Sequence, residues 1–173
     1  MKTSNKTYDM ETENTSFEPK LEFMKFSLIP ICLVFILVIG MAEANEPRAG
    51  FVKNVSGQAF IERNKVVTAA KVKDMLREND ILVTGNNGAM GVILQDNSVM
   101  SIGSNTRLVI SKFAFEPANE KLSFIAQIKK GTVVYLTGLI AKLNHSGVRF
   151  ETPAATCGIR GTHFAIKVED SGN

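Results

Sequence analysis

Two side chains in this 173-residue chain have the types and spacing for covalent chemistry: Cys157 and His163, six positions apart across a glycine-containing bend. A thiol beside an imidazole is the start of a nucleophile–base pair, which also needs a group to orient the base and donors for an oxyanion. Neither is readable nearby. Cys157 follows the Thr- and Ala-rich stretch 152–156 and reads as a small hydrophobe of the interior. His145 sits in a polar turn and reads as exposed. His145 and His163 are the only histidines, and neither stands at metal-ligand spacing from the other or from Cys157. Carboxylates are scattered, and no glycine-rich phosphate loop is present. The expectation is a protein that is not an enzyme, with no catalytic residues, no cofactor and no metal.

Charge narrows the partners. The chain carries a net charge of +3; its first 44 residues hold four Lys and six acids, which leaves 16 Lys and Arg against 11 Asp and Glu. After residue 44 the one adjacent basic pair is Lys129-Lys130. A basic stripe for nucleic acid is absent from this pattern, so no nucleic-acid partner is expected. The two cysteines, Cys32 and Cys157, make no disulfide framework, because Cys32 lies inside an apolar run that export would remove.

The chain divides into three parts. Residues 1–23 are polar, with little to bury, and read as a disordered extension; Met24 offers a second start. Residues 24–44 hold Met24-Lys25, an uncharged apolar run over 26–41, and Ala42-Glu43-Ala44. A basic start, an apolar core and a small-x-small site make a secretory signal peptide. The rival is an uncleaved membrane helix over 26–42, whose 17 residues are at the short limit for crossing a bilayer. Either way Lys25 marks the inner side and the rest of the chain is exported, periplasmic or anchored with its domain facing outward. The membrane is a partner only through 26–42, if that segment stays uncleaved.

Residues 45–173 are read as an all-β domain: an antiparallel sandwich or roll of short strands. His163 to Glu169 alternates, with Phe164, Ile166 and Val168 on one face and Ala165, Lys167 and Glu169 on the other. Residues 124–128 and 148–151 alternate likewise, and apolar runs cover 81–84, 89–94, 108–110 and 132–136. Turn residues separate them: Gly85 to Gly88, Asp96-Asn97-Ser98, Gly103-Ser104-Asn105, Pro117 to Glu120, Lys130-Gly131 and His145-Ser146-Gly147. The best helical candidate, 69–77, is short and Lys-rich. With no Trp, the core must come from Val, Ile, Leu, Phe and Met. Pro153 suits a strand end. Gly158 and Gly161 flank Ile159-Arg160 and permit a bend or bulge, where the Arg160 fork has access to loop carbonyls or a carboxylate.

Two stretches together resemble the FecR domain. The first runs Asn79-Asp80-Ile81-Leu82-Val83-Thr84-Gly85, Asn87-Gly88-Ala89, then Val92 to Gln95 with Asp96-Asn97-Ser98, Ile102 and Thr106-Arg107-Leu108. The second is Thr152-Pro153-Ala154-Ala155-Thr156, Ile159-Arg160-Gly161-Thr162 and Phe164. Gly131-Thr132-Val133 is similar to the family's central strand start. The resemblance covers residues 48–169 and singles out Asp96, Ser98, Thr152, Pro153, Arg160, Gly161, Thr162 and Phe164 as a structural signature. Asn97 stands where the family usually has Gly, and a left-handed turn suits either.

The resemblance implies a non-catalytic sensory or regulatory module of the bacterial envelope, with an envelope protein as partner. A structural or glycan- and polymer-binding domain is the alternative. Full-length regulators of the family carry a sigma-factor-binding segment before the membrane helix. Only 23 residues precede Met24 here, so that classical role is not expected. Relatives commonly continue with further strands after the position of Glu169, so 45–173 reads as a domain truncated at its C-terminus. Oligomeric state is not legible.

Overall fold

Turn chemistry and apolar alternation cut the domain into short strands. A computed structural model describes residues 47–159, 161 and 163–169. The strands are β1 (Arg48–Ser56), β2 (Ala59–Arg63), β3 (Val66–Ala69), β4 (Met75–Arg77), β5 (Ile81–Thr84), β6 (Ala89–Leu94), β7 (Val99–Ile102), β8 (Arg107–Glu116), β9 (Lys121–Leu136), β10 (Val148–Glu151), β11 (Thr156–Gly158) and β12 (His163–Val168). One short helix, α1 (Leu139–Leu143), follows β9. Asn64 and Lys65, joining β2 to β3, have φ of 51° and 67°. Two positive-φ residues make the hairpin turn whose twist matches that of paired strands. Asn97 has φ of 64°, so the left-handed turn expected of Asp96-Asn97-Ser98 forms.

The strands follow the path β3-β2-β5-β8-β9-β7-β6-β1-β4; off this path β10 and β12 pair with β9, and β11 pairs with β10. The sheet curls into a half-barrel, and β9 belongs to both of its halves. The first part of β9 pairs antiparallel with β8 and parallel with β10. Its last six residues, 131–136, pair with β12, and 133–136 also pair with β7. Bulky apolar side chains close the space between. Leu76, Leu82, Val92, Met100, Leu108 and Ile128 are fully buried, each contributing about 1.5–3 kcal/mol of burial. An aromatic chain runs Phe113–Phe124–Phe150–Phe164, with Tyr135 against both Phe124 and Phe150.

The all-β expectation holds, with corrections. The sheet is mostly antiparallel, but β10 runs parallel to β9, reached by a connection over 137–147 that contains α1. Parallel neighbours need such a crossover. Lys130-Gly131 is not a chain-reversing turn between strands: Gly131, at φ 99°, bends one continuous 16-residue strand. The segment 69–77 is not helical. It ends β3, loops, and forms β4, because Met75 to Arg77 pair with β1. Phe164, Ile166 and Val168 do face the core, half-buried, while Lys167 is exposed. Among the described residues no helix is long and apolar enough to cross a membrane. The extension and the signal or anchor segment lie outside the described residues.

Candidate functional site

Among the described residues five that are polar or charged are buried: Asp80, Thr84, Asp96, Ser98 and Thr106. All five belong to the first of the two sequence stretches. A buried polar atom left unpaired costs about 1–3 kcal/mol, and among the described residues every buried side-chain polar atom has a partner. Three small networks satisfy them.

The first network surrounds Asp96, at the turn between β6 and β7. Ser98 donates its backbone N–H to Asp96 Oδ1 at 3.1 Å and its hydroxyl to Oδ2 at 2.7 Å. Ile140 N–H reaches the same Oδ2 at 3.2 Å, so the carboxylate also receives the first turn of α1. Gly138 N–H donates to Ser98 Oγ at 2.9 Å, and the Tyr135 hydroxyl lies 2.6 Å from that oxygen. With the serine proton on Asp96, the tyrosine is the donor. Burial holds the Tyr135 phenol well above its ordinary pKa; the Ser98 bond opposes that shift and the Asp96 charge adds to it. The tyrosine therefore stays a neutral donor. Gly138 admits no side chain, because a Cβ would run into Asp96 O and the Ser98 backbone.

The second network centres on Asp80. Arg63 grips it with two bonds of 2.7 Å, from Nε and Nη2, and Arg77 N–H adds a third at 2.8 Å. Arg63 Nη2 also donates to the Met75 carbonyl at 2.8 Å, tying β2 to β4. This is the paired fork geometry that makes arginine–carboxylate contacts specific. The third network holds the bend of β9. Thr84 donates its hydroxyl to Gly103 O at 2.5 Å and accepts Thr106 N–H at 3.0 Å. Thr132 N–H donates to Thr106 Oγ1 at 3.0 Å. Thr106 thus packs against Gly131, where a Cβ would strike its Oγ1 and Cα.

The second sequence stretch is more open. Thr152 closes the turn between β10 and β11: its N–H and hydroxyl donate to Ala155 O at 2.8 and 3.0 Å, and its Oγ1 accepts Ala155 N–H. Pro153 is exposed in that turn. Gly161 has φ 137° and its carbonyl accepts the Thr137 hydroxyl at 3.0 Å. Phe164 packs on Phe150 with ring centroids 5.9 Å apart. Arg160 and Thr162 lie outside the described residues.

The structure therefore brings Asp96 and Ser98 together and sets Thr152, Pro153, Gly161 and Phe164 elsewhere. Among the described residues no hydrogen bond joins Cys157 to His163: Cys157 on β11 stands opposite Phe150 on β10, and His163 on β12 opposite Leu136 on β9. Sequence reasoning missed Arg63 and Tyr135. A tyrosine inside an apolar run was a usable signal, since its hydroxyl must find a partner when buried. Arg63 carried no such signal, because its carboxylate lies 17 positions away.

A family model described as FecR protein matches residues 80–173, more than half of the chain. No curated protein and no solved structure matches.

Proposed function

The chain belongs to the FecR family, and from that premise we propose that it is a non-catalytic sensory or regulatory module of the cell envelope that binds a protein partner through a sheet edge. The observation that carries this reading is the outer edge of β12. Gly103 N–H donates to Thr132 O at 2.8 Å, which fixes the hydrogen-bonded alternation between β7 and β9. Thr132, Val134 and Leu136 therefore turn their backbone groups to β7. Gly131, Val133 and Tyr135 turn theirs to Val168, Ile166 and Phe164 of β12. His163, Ala165 and Lys167 are left with N–H and C=O directed away from β9, and no described strand takes them. Such an edge is a template for strand addition. The five buried polar side chains of the first sequence stretch, by contrast, are all engaged inside the scaffold.

Export belongs to the same proposal, with cleavage after Ala44. Mass spectrometry of the exported protein is expected to find Asn45 at the N-terminus; an intact 26–41 segment in the membrane fraction would replace cleavage with anchoring. The edge is tested by Ala165→Pro, which removes one outward N–H and leaves the β9 pairing intact. The folded variant should lose dimerisation or capture of a stoichiometric envelope protein. Unchanged capture by Ala165→Pro, or retention of a polysaccharide in place of a protein, ends this reading.

A further inference from the structure

The path of the sheet has two ends, β3 and β4, which are consecutive in sequence. They face one another across an open groove of about 510 Å³, lined by Arg63, Val66, Thr68, Lys71, Asp74 and Met75. The described residues leave this seam unfilled.

Three properties of the seam select an occupant. The first is backbone. Ala70 N–H donates to Ala59 O at 2.9 Å, so by alternation the pairs Ile61–Thr68 and Arg63–Val66 carry the hydrogen bonds of the β2–β3 hairpin. Val67 and Ala69 then present N–H and C=O away from β2, where no described strand pairs. An extended chain can pair with such groups in a ladder. The second is apolar surface. Val66 is 62% exposed and Met75 46% exposed, and β3 is exposed along its whole length with no charge in it. An incoming strand covers them with every second side chain. The third is charge. Lys65, Lys71 and Lys73 are exposed around β3 and the loop that follows. The one acid among the lining residues, Asp74, already receives the Lys71 backbone N–H at 2.7 Å. Arg63 is neutralised by Asp80. A second copy pairing β3 with β3 would bring like charges together, which is unfavourable across strands.

We propose that this seam docks an extended segment of a protein partner in which apolar and acidic residues alternate, added as a strand on β3. The inference rests on the partner-binding reading but assigns an edge other than β12.

The test uses the purified full chain and two fluorescein-labelled peptides, one alternating Val and Glu, the other Val and Lys. Anisotropy should show the acidic peptide binding at least about tenfold more tightly. Val67→Pro, which removes an outward N–H, should weaken it by about tenfold or more with an unchanged melting temperature, whereas Ala165→Pro should not. Amide exchange in the unaltered chain should slow at Val67 and Ala69 when the acidic peptide is bound, which decides the matter even where Val67→Pro fails to fold. Equal binding of both peptides, or unchanged exchange at those two amides, overturns the seam. Acidic-peptide binding at the seam together with envelope-protein capture that Ala165→Pro leaves unchanged would overturn the functional reading alone.

Discussion

Phe124 and Tyr135 belong to one strand, yet their rings stack with centroids 5.7 Å apart. Eleven residues of extended chain span roughly 36 Å, so β9 must bend sharply between them. It does so at Gly131, beside a register shift against β8 at Arg107/Leu108. That bend carries β9 from one half of the sheet to the other and closes the aromatic core.

Gly131→Ala should therefore be among the most damaging small substitutions in the domain. The residue has positive φ, and a Cβ there meets Thr106. A loss of about 3 kcal/mol or more is expected in denaturant unfolding. The chain has no Trp, so tyrosine emission reports the same event through Tyr135. Stability like that of the parent would mean that the bend does not depend on glycine.

Asp96→Ala removes the acceptor of the Ser98 hydroxyl and of two backbone N–H groups. It should cost about 3 kcal/mol, and Ser98→Ala about 1–2. Because the two share a bond, the double variant should cost less than the two single losses combined. Strict additivity in chemical denaturation would show that they do not act as one network.

Tyr135 gives the domain an alkaline limit. Its folded pKa is raised above the ordinary value of 10.0, chiefly by burial. A raised pKa means the folded state holds the proton more tightly, so this contribution is complete below pH 10 and is lost as pH rises beyond it. Tyr135→Phe should be about 1 kcal/mol less stable at neutral pH, through the lost bond to Ser98. Above pH 10 its stability should fall less steeply than the parent's. Parallel stability curves for the two proteins would contradict this.

The register of β12 is checked by a pair of truncations. Phe164 is half-buried against Phe150, so Phe164→Ala should cost about 2 kcal/mol, below the range for fully buried aromatics. Lys167 is exposed, and Lys167→Ala should change stability by less than about 0.5 kcal/mol. Equal losses in thermal melts would place the strand in the other register.

The sequence by itself determined what depends on neighbours along the chain. Alternation in His163–Val168 set which side chains face the core, because successive strand residues point to opposite faces. Asn97 and the Pro117 to Glu120 segment were legible as turns from their residue types, and both form. Of the buried polar residues of the first stretch, Asp96 and Ser98 were legible as signature residues, and Asp80, Thr84 and Thr106 only as part of the family resemblance. Their tasks were not, since Asp96 serves α1 from 44 positions away and Asp80 serves Arg63 from 17. Only the tertiary structure decided that residues 121–136 form one strand. Lys130-Gly131 has the same local chemistry for a turn or a bend, and pairing with β8, β7 and β12 selects between them. The same holds for 69–77, where pairing with β1 overrides a weak helical tendency. That no described strand pairs with the outer edges of β3 and β12 is likewise a property of which strands meet, and no local pattern specifies it.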